Sequence, residues 1–154
     1  MREIPVVGAA AEFLPRYARA GDAGADLRIT EAVTLQPGER LLVGTGVRLA
    51  LPPGTVGMVT PRSGHAARQG LGIVNSPGII DSGYRGEIRI CLINLDTTTA
   101  VELQAGERVA QLVIVPFISA QFTPVTELDE TERGQGGYGS TGQSDITREQ
   151  HEIR

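Results

Sequence analysis

Turn chemistry constrains this chain more than any other feature. Pro37-Gly38, Pro53-Gly54, Pro77-Gly78 and Ala105-Gly106 recur along the part of the sequence before residue 107. Proline presets φ at the second turn position and glycine supplies a positive φ at the third, so the Pro-Gly pairs predict type II turns. Between the turns lie short runs rich in Val, Ile, Leu and Thr: "RLLVGTGVRLAL", "TVGMVT", "GEIRICLINL", "RVAQLVIVPFI" and "AQFTPVTEL". Short strands at this spacing predict an all-β sandwich or barrel. "LQPGERL" at 35–41 and "LQAGERV" at 103–109 read as one turn solution used twice. Only "SGHAARQGL" reads as a helix, a short one near 63–70, with Ser63 as N-cap and Gly70 as the stop.

The length of 154 residues suits one domain. After Leu128 the sequence turns polar and glycine-rich without periodicity. Residues 1–128 therefore read as the β body and residues 129–154 as a flexible C-terminal arm. Residues 127–154 hold seven acidic and three basic side chains, a net of −4. The whole chain, with 14 basic and 18 acidic residues, also carries −4, so residues 1–126 balance at eleven of each. A neutral body with an acidic end lacks the basic field of a duplex-binding protein, and no nucleic-acid partner is expected.

Cys91 is the only cysteine. It excludes a disulfide framework or a cysteine-built zinc site within one chain and suits a reducing, cytoplasmic setting. The N-terminal stretch lacks a basic leader, and no apolar run approaches membrane-spanning length. A soluble, internal protein without a membrane partner is the expectation. All fourteen basic residues are arginine, which excludes a Schiff-base lysine and the phosphate-binding lysine of a P-loop.

Four stretches carry chemistry. "RGQGGYGSTG", residues 133–142, has five glycines and almost nothing that could pack a core. Such glycines let backbone N–H groups converge on an anion, while Ser140 and Thr141 add hydroxyls and Arg133 a planar, permanent charge. A solvated tail is the alternative; an RG-type RNA segment has only one Arg-Gly pair behind it. "PRSGHAARQG" sets Arg62 before a helix N-terminus with Ser63 and Gly64, an anion site built from charge, hydroxyl and dipole. Its alternative is a plain capped helix, and His65 reads as a surface residue rather than a partner for Ser63.

"NSPGIIDSGYRGEIRI", residues 75–90, reads as a hairpin entering a buried strand, with Asp81 and Tyr84 near the bend. Tyr84 and Tyr138 are two of only six aromatics, and both sit in glycine-flanked bends where a ring can face a base or a sugar. An ordinary surface tyrosine is the competing explanation. In "AGDAGADL", residues 20–27, Asp22 and Asp26 lie among small residues that allow close approach. Two acids of this kind suit a hard cation such as magnesium through water, or simple solvation.

Taken together and in order, "AGDAGADL", "PRSG" with its helix, "GIIDSGYRGEI", "ERVAQLVI" and "RGQGGYGSTG" resemble the five motifs of the trimeric dUTPase family, over residues 20–142. The resemblance implies a β jelly roll, assembled as a homotrimer whose sites draw motifs from three chains. It implies hydrolysis of dUTP to dUMP and pyrophosphate with Mg2+, which limits uracil entry into DNA and supplies dUMP for dTMP synthesis. On it, Asp81 is the general base for water attacking the α-phosphorus. Ser63 and Gly64 at the helix start stabilise the leaving phosphates, and Arg62 and Gln111 line their channel. Asp26 acts indirectly, through the water shell of a magnesium bound chiefly by the triphosphate.

The same resemblance gives the third motif the base. Backbone groups around Gly78 and Ile80, with Asn75, would pair with the uracil edge, and cytosine would leave buried groups unpaired at a cost of roughly 10⁴-fold or more. Tyr84 would pack under the deoxyribose. In the arm, Tyr138 would stack on uracil while Arg133, Gly139, Ser140 and Thr141 grip the γ-phosphate, closing only over bound triphosphate. Two departures stand out: the arm aromatic is more often phenylalanine in that family, and the chain continues past the motif as "QSDITREQHEIR". The rivals are a dCTP deaminase, which would release ammonia rather than pyrophosphate, and a nucleotide-binding protein without turnover. "YRGEI" with "GGYGSTG" speaks against the first, and an acid at Asp81 beside phosphates against the second.

Overall fold

Each of the two matching turns is closed by its own glutamate. Gln36 N–H donates to Glu39 Oε2 at 2.7 Å, and Gln104 N–H donates to Glu107 Oε2 at 2.9 Å. Gly38 and Gly106 take φ values of 75° and 81°, and Gly54 takes 77°, as the turn readings require. Pro77-Gly78 departs from that reading. The Ser76–Pro77 peptide is cis, and Gly78 opens a strand instead of completing a turn. Its backbone is committed to a ladder opposite Val59, which demands an extended conformation.

A computed structural model of the chain describes residues 3–136. The chain divides into two units, Met1–Ser119 and Ala120–Arg154. Unit one begins with β1 (Val6–Val7), a single 3₁₀ turn (Ala11–Phe13), β2 (Ala25–Arg28), β3 (Val33–Leu35), β4 (Arg40–Gly44) and β5 (Arg48–Leu49). It continues through β6 (Thr55–Pro61), α1 (Ser63–Gln69), β7 (Leu71–Ile73), β8 (Gly78–Ile80), β9 (Arg89–Asn94), β10 (Val101–Leu103) and β11 (Arg108–Pro116). The expected class, β with one short helix, is the one observed.

Four sheets share these strands, in the orders β1-β5, β10-β3, β2-β11-β6-β8 and β4-β9-β7. Among the described residues none closes into a barrel, so the sandwich half of the expectation holds and the barrel half does not. Alternation decides what goes inside. Ala25 and Leu27 of β2, Ile90 and Leu92 of β9, and Val101 and Leu103 of β10 are buried, while the residues between them are not. Leu27, Leu35, Leu92 and Leu103 are fully enclosed, and each such side chain contributes about 1.5–3 kcal/mol of hydrophobic stabilisation.

Three sequence readings are corrected here. "RLLVGTGVRLAL" is two strands, because Gly44-Thr45-Gly46 bends the chain and Gly46 has φ of 68°. "AQFTPVTEL" forms no strand: described residues 120–128 of the second unit lack regular structure, with Phe122 and Leu128 exposed. Its Val, Phe and Thr supply β-propensity but, among the described residues, no strand pairs with it, and a strand needs one. Residues 75–90 are also not a hairpin. β8 pairs with β6 whereas β9 pairs with β4 and β7, so the segment between them crosses from one sheet to another.

The return from β9 to β10 is held by two side chains. Buried Asn94 donates through Nδ2 to the Leu35 and Thr99 carbonyls, at 3.1 and 2.9 Å, and its Oδ1 accepts the Asp96 N–H. The Asp96 carboxylate in turn accepts the Thr98 and Thr99 N–H groups and the Thr98 hydroxyl. These bonds, the Thr98 N–H foremost, hold it below the ordinary carboxylate value of 3.8. The stabilisation is therefore complete above that value and is lost as pH falls through the lower, folded-state value. Urea unfolding should find Asp96→Asn less stable than the parent at pH 7, with the gap closing as the pH falls below ~4.

Candidate active site

β11 runs through the middle of the four-stranded sheet and sets the first half of the site. Its register puts Gln111 opposite Asp26 of β2 on one side and Thr60 of β6 on the other. Ala25 and Leu27 face the core, so Asp26 between them faces away from it. Arg62 directly follows β6. Its Nε meets Asp26 Oδ1 at 2.9 Å, and Arg108 Nη1 meets Asp26 Oδ2 at 3.1 Å. The Arg108 carbonyl accepts a third bond, from Arg62 Nη1 at 3.2 Å.

A cleft of about 660 Å³ opens beside this cluster, lined by Asp22, Gly24, Asp26, Arg62, Ser63 and Gln111, with Gly64 and Arg68 at the helix. Gly24 matters through what it lacks, since a Cβ there would collide with the Gln111 carboxamide. Motifs one, two and four of the sequence reading thus meet in one place. The helix start differs in detail from that reading. Arg62, extended at φ −90° and ψ 127°, is the N-cap residue, and Ser63 is the first helical one. The Arg62 carbonyl already accepts the Ala66 N–H, which moves the first helical bond back by one residue. No side-chain bond caps this end, and Ser63 lines the cleft. Gly70 does terminate the helix, in the left-handed conformation at φ 63°.

His65 is buried rather than on the surface. Its Nδ1 lies 2.8 Å from Gln69 Oε1 and its Nε2 lies 2.9 Å from the Arg108 carbonyl. Nδ1 is engaged within α1 and Nε2 fastens α1 to β11, which leaves neither ring nitrogen for proton exchange with Ser63.

The second half of the site lies around β8. A cavity of about 360 Å³ has Val59, Ile73 and Ile90 among its walls and brings Asn75, Gly78, Ile80, Asp81 and Tyr84 together. β8 is the last strand of its sheet, so among the described residues the backbone groups on its outer edge face no strand. Asp81 follows β8 immediately and is exposed; its carbonyl accepts the Tyr84 N–H at 3.0 Å in a tight turn. The Tyr84 hydroxyl donates to the Glu87 carbonyl at 2.9 Å. The two clefts share no lining residue.

In the second unit, Arg133 Nε donates to the Gly136 carbonyl at 3.1 Å within a turn at Gly134. Tyr138, Gly139, Ser140 and Thr141 lie outside the described residues. Among the described residues, no three His, Cys, Asp or Glu side chains gather as a metal cage. Both Asp26 oxygens hold an arginine, yet a carboxylate has about four acceptor positions in all. The donor set therefore fits a hydrated hard cation reached through water and does not fit a directly bound one. Sequence reasoning missed Arg108 and Glu87; only the recurrence of "GER" and the acid in "YRGEI" pointed at them.

Residues 11–142 match the family model described as dUTPase. The chain belongs to the dUTPase family. It is a hydrolase of that family and shares its jelly-roll-like β fold. It is 62% identical over 141 residues to the deoxyuridine 5'-triphosphate nucleotidohydrolase of Cutibacterium acnes, covering 92% of each chain. It is 57% identical over 129 residues to the enzyme of the same name from Corynebacterium diphtheriae, covering 84% of this chain and 85% of that one. Among solved structures it superposes on a mutant dUTPase of Staphylococcus bacteriophage 80alpha with dUpNHpp, at a TM-score of 0.85 and 29% identity, over 92% of this chain and 99% of that one. A mutant dUTPase of phage phi11 of S. aureus, which reveals the coordination of a structural Mg(II) ion, matches at a TM-score of 0.76 and 26% identity, over 84% of this chain and 100% of that one.

In this dUTPase-family chain Asp26 pairs with the half-buried Arg62 and the exposed Arg108. Asp26→Ala should lower stability by about 1–3 kcal/mol, between the values of exposed and buried pairs. A urea midpoint equal to that of the parent would show the cluster to be energetically neutral.

Proposed function

We propose that the chain hydrolyses dUTP to dUMP and pyrophosphate through water activated by Asp81. The observation that carries this reading is Asp81, exposed, in the wall of a cavity of about 360 Å³ beside Tyr84 and Asn75. Asp81 accepts a proton from the attacking water as its oxygen closes on the α-phosphorus, and the bond to the β-phosphate oxygen breaks. A base needs hydrogen-bond reach to its water, and an exposed carboxylate in a cavity wall has it.

The outer edge of β8 suits a base edge. Backbone groups around Gly78 and Ile80, with the Asn75 carboxamide, read uracil much as a neighbouring strand would. Tyr84 stands against the deoxyribose. The second cleft takes the phosphates: Arg62 brings a permanent charge, Ser63 a hydroxyl, the first-turn amides at Ser63 and Gly64 free N–H donors, and Gln111 a carboxamide. α1 is seven residues long, so these local groups matter more than its dipole. Asp26 holds the water shell of Mg2+ carried by the triphosphate. When bound, Mg2+ supplies neutralisation of phosphate charge.

The two clefts share no lining residue, and in this reading they are brought to one nucleotide from different copies of the chain. A homotrimer with shared sites supplies them. Phe117, Ile118, Phe122 and Leu128 are exposed, an apolar content that a neighbouring subunit would cover. Arg133, with Tyr138, Gly139, Ser140 and Thr141 in the arm of residues 129–154, closes over base and γ-phosphate. The cellular role is to limit uracil incorporation into DNA while furnishing dUMP for dTMP synthesis.

Asp81→Asn keeps the shape and removes the base. It should lower kcat for pyrophosphate release by about 10²–10⁴-fold while dUTP binding, followed by calorimetry, persists; near-normal turnover would remove Asp81 from the role. Truncation after Glu132 should leave the urea midpoint unchanged and abolish most activity. An undiminished rate would deny the arm any part in the site.

A further inference from the structure

We propose that Gly86 and Glu87 set the selection of deoxyribose over ribose by fixing the Tyr84 ring. The inference rests on the reading of Tyr84 as the wall against the sugar. Tyr84 is 45% exposed, so packing alone leaves its ring free to move among rotamers. A wall that must refuse one hydroxyl group has to stay within a fraction of an ångström of its place.

Two local features supply that constraint. Gly86 has no Cβ, and one built there would fall on the Tyr84 hydroxyl and ring carbons. Only glycine therefore lets the ring fold back across the chain. The folded ring is then caught at its far end, where the Tyr84 hydroxyl donates to the Glu87 carbonyl at 2.9 Å.

The carbonyl that catches it is itself pinned. Glu87 Oε1 accepts the Gly46 N–H at 2.8 Å, tying the crossing segment to the bend between β4 and β5. The next residue reinforces the tie. Ile88 N–H donates to the Val47 carbonyl at 2.8 Å, and the Ile88 carbonyl accepts the buried Thr45 hydroxyl at 2.6 Å. Thr45 Oγ1 also accepts the Val47 N–H, so the bend is internally braced. Glu87 is half-buried and lines the cavity that Tyr84 enters, which places this chain of bonds within the base and sugar cleft. Glu87 is thus a positioning residue: its side chain acts on the sugar through its own backbone and the Tyr84 ring.

The test is the ratio of kcat/KM for dUTP to that for UTP, which is independent of the fraction of active enzyme. Glu87→Ala leaves the Gly46 N–H unpaired and should narrow the ratio about tenfold, the size expected for one charge-assisted hydrogen bond. Gly86→Ala should narrow it through the ring, and Glu87→Gln, which keeps an acceptor oxygen, should stay close to the parent ratio. If Glu87→Ala and Gly86→Ala depress both substrates in proportion, these residues serve folding alone and the proposal is overturned. Tyr84→Ala run in parallel separates the two levels. Should it collapse the ratio while the other variants do not, only the present proposal fails. Should Tyr84→Ala leave the ratio unchanged, the sugar-wall reading fails and takes this proposal with it.

Discussion

The pairing of β11 along both its edges is the constraint on which the rest of the structure depends. The strand is bonded to β2 on one side and to β6 on the other, with a register shift between Arg108 and Ala110. That register carries Gln111 into line with Asp26 and Thr60, and it leaves Arg108 at the end of the strand, beside Asp26. A slip of one residue would exchange every inward and outward side chain on β11. Leu112 would leave the core, and Gln111 would enter it without a partner. The hydrophobic pattern and the polar cluster thus enforce the same alignment.

Around Asp26, charge serves assembly as much as chemistry. Arg62 lies between β6 and α1, Arg108 begins β11, and Asp26 sits in β2, so one carboxylate joins three segments distant in sequence. His65 adds a further fastening from α1 to the Arg108 carbonyl. Held this way, the guanidinium of Arg62 lines a polar cleft instead of sweeping through solvent, which lowers the conformational entropy lost when an anion arrives. The base and sugar cleft is organised differently. It depends on a segment that leaves one sheet at Ile80 and joins another at Arg89, and on backbone groups more than on charge. Polar recognition by backbone needs a rigid support, and the bend at 44–47 provides it.

Local chemistry was the most legible part of the sequence. The turns at Gly38, Gly54 and Gly106 and the stop at Gly70 were readable because a positive φ restricts the residue that can occupy it. Both glutamate-closed turns use the same short string, so the second was visible from the first. What failed were readings that depend on partners far along the chain. Residues 75–90 have the look of a hairpin, but the strand that β8 needs is β6, and nothing between Gly78 and Asn94 encodes that choice. His65 looked like a surface residue since its acceptor, the Arg108 carbonyl, lies 43 residues away. Residues 120–128 have β-propensity and, among the described residues, no strand to pair with.

By itself, the sequence determined the β class, the places where the chain must turn, the family to which its ordered motifs belong and the residue types available for chemistry. Those properties follow from backbone sterics and side-chain functional groups, which each residue carries wherever it lies. Tertiary structure alone decided that the motifs gather as two clefts with no shared wall, that Asp26 stands between two arginines, and that Tyr84 is held through Glu87. Such facts are set by strand pairing across long stretches of chain, where closing a loop has an entropic cost and only the sum of many contacts settles which partner is kept.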